Sequence, residues 1–311
     1  MRVAIIGATG HIGSWLVPRL VRAGHDVIAI SRGSRRPYYG TPEWDRVRSV
    51  VIDRYNEEIR GTFGETIATL DADVVVDLIC FDLASAMHLV DALRGKVRHL
   101  VHCGTLWVHG VPTACPYDER AAREPFGEYG IRKAEIEAYL LGEVDGFPVT
   151  ILHPGHITGP GWNPINPAGN LDVGVFERLK HGEVILLPDD GSARLQHVHV
   201  DDVAQAFELA ITRQNASKGE AIHVAAERAI TMRAYAEEAA RWFDTDANIE
   251  FLPWEEWRAT VSEGDAEITR DHMLHSPCAS IAKAKELLGF VPRYSAVEAV
   301  RDSLRAAGLF E

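Results

Sequence analysis

Arg2-Val3-Ala4-Ile5-Ile6-Gly7-Ala8-Thr9-Gly10-His11-Ile12-Gly13 is the stretch from which the fold is read. The unbroken apolar run Val3 to Ile6 predicts a strand buried on both faces. Beyond the glycines, Ile12, Trp15, Leu16 and Leu20 recur at helical spacing over residues 11–23, and Gly24 ends the helix. Backbone that must approach a pyrophosphate needs glycine, and a helix start offers unpaired N–H groups at the positive end of its dipole. The segment Gly7, Thr9, Gly10, His11, Ile12 and Gly13 therefore reads as a phosphate cradle, although close packing of a strand on a helix also demands glycine.

Working outward, further strands are predicted over residues 26–30, 49–52, 73–78, 97–102 and 149–153, with helical patterns between most of them. Such alternation gives a doubly wound parallel α/β sheet, a Rossmann fold. Residues 154–169 are rich in proline and glycine and read as a substrate-side loop. Helices follow over residues 171–181, 201–211, 232–243, 280–288 and 295–307, with a strand over 184–187. The expected organisation is a nucleotide-binding domain of residues 1–165, to which 199–226 return, and a smaller α/β substrate region of 166–198 and 227–311.

The chain has 311 residues, 46% of them hydrophobic, and 32 Lys+Arg against 45 Asp+Glu give a net charge of −13. That charge argues against nucleic acid and anionic membranes as partners. No apolar segment is long enough for a targeting or membrane-spanning helix. The four cysteines, Cys80, Cys103, Cys115 and Cys278, lack CxxC spacing, which suggests a reducing, cytoplasmic setting over a disulfide framework.

At the end of the second strand, where a carboxylate would bind the ribose 2′-OH of NAD, the chain reads Ser31-Arg32, followed by Arg35 and Arg36. NADP is thus favoured over NAD, unless these arginines form only a solvated face. Asp53 is placed to accept from an adenine amine or to cap a loop. Tyr129 and Lys133 lie four apart on a predicted helix and share a face. An ammonium near a phenol stabilises phenolate and would make the tyrosine a usable acid or base, though a surface pair has the same spacing.

Together GATGHIG, HCGTLWVHG, YGIRK, HPGHITGPG, HVHVDDV and LLGFVPRYS resemble, in order and across most of the chain, the extended short-chain dehydrogenase/reductases, the NAD-dependent epimerase/dehydratase family. The resemblance implies a triad of Thr105, Tyr129 and Lys133, with Tyr129 moving the proton, Lys133 also holding the nicotinamide ribose, and Thr105 bonding the substrate oxygen. It also implies a small-molecule substrate and a homodimer through the helix near residues 83–93 and the helix bearing Tyr129. Several positions depart from the pattern. Leu106 and Trp107 replace the acidic pair of dehydratases, disfavouring sugar dehydration. His109 replaces a usual tyrosine, and His153 and His156 replace an arginine and an asparagine.

His156 is expected beside the nicotinamide, and with Trp107 and His109 beside the substrate. Arg194 stands one position from the family's diphosphate clamp, an offset that flips a strand residue to the other face. Arg270 fits the second phosphate-contacting arginine. His197 and His199 alternate on one strand without a third ligand at diagnostic spacing, so no metal is expected. Trp254 and Trp257 fit either a stacking platform or the core. The reading is an NAD(P)-dependent epimerase acting on a secondary alcohol of a sugar or nucleotide sugar through a transient ketone. A net NADP(H)-dependent reductase or dehydrogenase is the alternative, and a non-catalytic NAD(P)-binding protein the second.

Overall fold

The structure, a computed structural model, describes residues 1–309. Its first strand, β1 (Arg2–Ile6), lies inside a seven-stranded sheet, paired with β2 (Asp26–Ser31) on one side and β4 (Val74–Asp77) on the other. Beyond β2 comes β3 (Arg48–Val51); beyond β4 come β5 (His99–Cys103), β6 (Val149–Pro154) and an edge strand, Glu220–Val224. All six pairings are parallel. The strand order reverses at β1, so the crevice between the carboxyl ends of β1 and β4 is where this topology places a ligand.

Alternation of side chains explains why the central strands are apolar throughout. Val3, Ile5, Val74 and Val76 enter one core, against α1 (His11–Arg22) and the helix Val200–Thr212. Ala4, Ile6, Val75 and Leu100 enter the other, against α3 (Phe63–Ala68), α4 (Leu83–Leu93) and α5 (Gly127–Gly142). A strand covered on both faces takes a charge only where a partner reaches it, as at Asp77 on the end of β4. Between β3 and α3, the short α2 (Arg54–Ile59) is capped by Asp53.

A third core gathers Phe176, Leu187, Tyr235, Trp257 and Leu304 from the later part of the chain. Three small strand pairs knit this part together, one joining His156–Thr158 to His197–His199. Residues 281–290, which the sequence reading gives to the second region, contribute Ile281, Leu288 and Phe290 to the first core. Among the described residues, no helix is long and apolar enough to cross a membrane.

Several elements differ from expectation, among them the strand Asn248–Leu252, for which no strand is predicted. A helix at Glu263–His275 is unanticipated, because the residues it buries are Ala266, Thr269, His272 and His275, which give no apolar period. The edge strand Glu220–Val224 carries a buried histidine that interrupts its apolar run. The pattern over 280–288 becomes a single wide turn, Ala284–Leu288, and the loop 154–169 contains the strand His156–Thr158. Cysteine pairing also corrects the sequence reading: Cys115 and Cys278 form a disulfide across a separation of 163 residues, which no local spacing reveals. Cys80 and Cys103 are free and buried. The cysteine argument for a reducing compartment therefore falls.

Candidate active site

The glycine turn is shaped by contact. Gly7 has φ +88°, and a Cβ on Gly13 would lie 2.4 Å from the carbonyl oxygen of Ala8. No side chain fits there, because the backbone of β1 and the start of α1 must touch. Gly10 donates to Gly7 at 2.9 Å and serves as the N-cap of α1 without a side-chain cap, leaving the first N–H groups of the helix facing the cleft. Below this turn opens a two-lobed cleft. One lobe, about 500 Å³, is lined by Gly7, Thr9, Gly10, Ser31 and Asp53; the other, about 510 Å³, by His11, Ile12, Gly13, Thr105, Tyr129 and Lys133.

In the first lobe Arg32 and Arg35 line the wall, whereas Arg36 is exposed and outside it. Ser31 accepts from Gly33 N at 3.2 Å, which turns the loop after β2. Asp53 caps α2 and accepts from the Asn56 side chain at 2.9 Å, so both readings of this residue are compatible with its place. Sequence reasoning missed the floor of this lobe. Arg54, buried, forks onto Asp77 at 2.8 and 3.0 Å, bonds Glu58 at 2.7 Å, and lies 4.9 Å over the Phe63 ring. A buried carboxylate at the end of β4 is stable only with such a partner.

Thr105, Tyr129 and Lys133 meet in the second lobe. Thr105 follows β5, its hydroxyl accepting from Trp107 N at 3.3 Å, and it lines the same lobe as Tyr129. Tyr129 is 43% exposed, yet its hydroxyl end is desolvated, and this burial pushes the phenol up to about 12 while the nearby Thr105 hydroxyl works in the opposite direction. The expected phenol–ammonium pairing is not made. Lys133 Nζ donates to the carbonyl oxygens of Cys80 and Cys103, both at 2.8 Å, and lies 6.0 Å from the centre of the Tyr129 ring. A buried ammonium takes the strongest acceptors within reach, here carbonyls beyond the ends of two adjacent strands.

Imidazoles and indoles form the facing wall. Trp107 meets the Tyr129 ring edge-on at 5.8 Å and stacks on His275 at 4.0 Å. His156 lines the lobe with both ring nitrogens buried and without partners, and it sits edge-on to His272 at 4.7 Å. Burial holds His156 well below the usual imidazole range and lowers His272 to about 4 and His197 to about 3, so these rings are neutral. His272 was missed because its helix was missed. Over α1, His11 stacks on Trp162 at 5.0 Å and meets Tyr38 edge-on at 5.8 Å, joining the loop after β2 to the loop after β6.

Three expected substrate contacts lie elsewhere. His109 points into a buried pocket, 2.9 Å from His223, because the turn after Thr105 directs its ring beneath the cleft. Arg194 is half-buried on a two-residue strand whose next residue, Leu195, fills the third core; it does not line the cleft. Arg270 is exposed and lies 5.0 Å over Trp254, outside the cleft. Trp257 is buried and donates to Leu186 O at 2.9 Å, a core role.

The chain is similar to several characterised proteins. It is 26% identical over 311 residues to the chloroplast stem-loop binding protein of 41 kDa b of Arabidopsis thaliana, covering 97% of this chain and 78% of that one. It is 29% identical to 2'-dehydrokanamycin reductase of Streptomyces kanamyceticus, over 86% of this chain and 73% of that one. To UDP-glucose 4-epimerase of Mycolicibacterium smegmatis it is 30% identical, over 67% and 72%. Among solved structures it superposes on MoeE5 in complex with UDP-glucuronic acid and NAD, with TM-score 0.74 and 19% identity over 99% of both chains. The sequence profile of the NAD dependent epimerase/dehydratase family matches residues 3–225, a span that holds the glycine turn, Thr105, Tyr129 and Lys133, and the chain belongs to that family.

Proposed function

We propose that the chain is an epimerase that inverts a secondary alcohol of a sugar through a transient ketone. The observation that carries this reading is the convergence of Thr105, Tyr129 and Lys133 in the lobe that continues from the glycine turn. The cleft fits a dinucleotide, since Gly7 and Gly13 leave no room for a Cβ and the uncapped start of α1 faces the position of a pyrophosphate. When bound, that group exchanges hydride with the substrate carbon.

The chain's residues move and hold the proton. Tyr129 accepts the proton of the substrate hydroxyl and later returns it, while Thr105 fixes the same oxygen. Lys133, on the same lobe, would hold the nicotinamide ribose. His156, neutral and unpartnered, offers one donor and one acceptor to substrate hydroxyls, His272 offers its Nε2 acceptor because Nδ1 donates to Gly169 O, and Trp107 supplies an apolar wall. Arg35 and Lys133 are the cations lining this lobe among the described residues, and both lie on its nucleotide side. That supports an uncharged polyhydroxylated substrate over one carrying a diphosphate. The exposed Met87 and Ile131 on α4 and α5 support a homodimer through these helices.

A reductase that consumes NADPH is the second reading, favoured by Arg32 and Arg35 at the adenosine end and the absence of a carboxylate at the end of β2. The two separate by stoichiometry. The protein is incubated with a panel of sugars and keto-sugars, with epimers followed by chromatography and nicotinamide by absorbance. Epimer formation without net absorbance change supports the first reading; equimolar NADPH loss supports the second. Tyr129→Phe is expected to cut turnover by about 10²–10⁴-fold in either case. Full turnover in that variant would overturn the catalytic assignment, and nucleotide binding without turnover on any substrate would favour a binding protein.

A further inference from the structure

Three histidines converge beneath the catalytic residues, outside the cleft. His109 comes from the turn after β5, His153 from β6 and His223 from the edge strand, and one ring nitrogen from each lies within 4.8 Å of the others. Their residues are between 0% and 4% exposed. Nε2 of His109 and Nε2 of His223 stand 2.9 Å apart.

Hydrogen accounting makes that approach unfavourable as it stands. His109 Nδ1 faces the carbonyl oxygen of Ala122 at 3.2 Å, and His223 Nδ1 faces that of Ser280 at 3.2 Å. A carbonyl only accepts, so both Nδ1 atoms carry the hydrogen and both Nε2 atoms present lone pairs to each other. The Arg123 guanidinium does not reverse this. Its nearest nitrogen is 3.4 Å from His109 Nδ1 but spends its two hydrogens on Glu119 O and Ala121 O, each at 2.7 Å. Two opposed lone pairs require a cation between them.

The third ring and the surrounding charges point the same way. His153 Nε2 lies 2.6 Å from Glu137 Oε2, while its Nδ1 is buried without a hydrogen-bond partner. The other Glu137 oxygen is held by Arg123 at 2.8 Å. Glu119 accepts from the backbone of His223 at 2.8 Å. Two carboxylates, Glu119 and Glu137, and one guanidinium, Arg123, thus surround the three rings.

We propose that His109, His153 and His223 form a site for a divalent transition cation such as zinc. Three imidazoles match the donors zinc and cobalt take, and ligating imidazoles usually donate their second nitrogen to a carbonyl, as two of these do. Tetrahedral ligands at about 2.0–2.1 Å stand roughly 3.3 Å apart, so the His109–His223 gap need open only by about 0.4 Å. None of the three histidines lines the cleft, which makes the role structural. The cation joins three strand ends directly below Thr105. The segments that orient His109 and His223 are themselves linked, by Ser280 N bonding Tyr117 O at 2.7 Å and by the Cys115–Cys278 disulfide.

The test uses tag-free full-length protein from metal-depleted medium, without substrate or nucleotide, so it is independent of the enzyme reading. The protein is exposed to zinc or cobalt chloride, dialysed and analysed for metal content. Expected are a single equivalent of zinc per chain, visible d–d bands of four-coordinate cobalt, and a Tm raised by roughly 5 °C or more. His109→Gln with His223→Gln should lose the metal and the bands. The bands give a second readout on His153→Gln should the double variant fail to fold, since losing one ligand must change them. Wild-type protein that takes up no metal and shows no Tm change overturns the proposal, as does metal retained unchanged in all these variants; a shared proton then holds the pair.

Discussion

The two halves of the cleft are built on different principles. On the nucleotide side, a contiguous run from Gly7 to Gly13 does the shaping through backbone alone, and a single methyl at Gly13 would strike a carbonyl at 2.4 Å. On the substrate side, Trp107, His156 and His272 come from three distant segments and meet only through side-chain contacts. The first half is set by residues adjacent in sequence and buries one imidazole, His11, lowered to about 4. The second gathers several buried imidazoles, His156, His197 and His272 among them.

Acid should separate the halves most. His197, His272 and His275 have folded values lowered to about 3, 4 and 4 by burial, against about 6.5 when unfolded. Above pH 6.5 these rings are neutral in both states. As pH falls below 6.5 the unfolded chain takes up protons that the folded one refuses, so stability is lost down to about pH 4. The expected loss between pH 6.5 and 5 is about 3–6 kcal/mol, and denaturant titrations at the two pH values measure it. Hydrogen exchange should show Glu263–His275 opening before β1; simultaneous opening would mean the halves are one cooperative unit.

A smaller effect is expected in the other half. Gly13→Ala should destabilise by about 1–3 kcal/mol and weaken dinucleotide binding by at least about tenfold, read by thermal melts and titration calorimetry. His156→Leu sharpens the contrast, because it removes two buried nitrogens that have no partner. The free protein should gain about 1 kcal/mol while substrate KM rises about tenfold. Were the variant destabilised instead, His156 would be a structural imidazole. Least of all, Arg32→Ala should weaken NADP binding by about fivefold relative to NAD, since the side chain is exposed and its charge screened.

The same contrast governed what was legible in the sequence. The glycine turn, the parallel strands and the Thr105, Tyr129 and Lys133 positions announce themselves by local spacing or by motifs whose meaning is local. Even there the direction of Lys133 was misjudged, because the carbonyls of Cys80 and Cys103 that capture it belong to other strands. His272 was invisible because its helix buries polar residues, so no apolar period marked it. Arg54 and Asp77, 23 residues apart, and Cys115 and Cys278, 163 apart, are partners only after the chain has folded. Long-range pairs leave no periodic trace.

The aromatic contact of His11, Tyr38 and Trp162 spans the mouth between the loop after β2 and the loop after β6. Were a dinucleotide to lie under that bridge, it would leave by peeling the rings apart or sliding out lengthwise. Its dissociation rate would then be a property of three side chains remote from the reacting carbon. Trimming Trp162 to alanine would shorten residence without touching the proton path, turning a retained prosthetic group toward an exchangeable co-substrate.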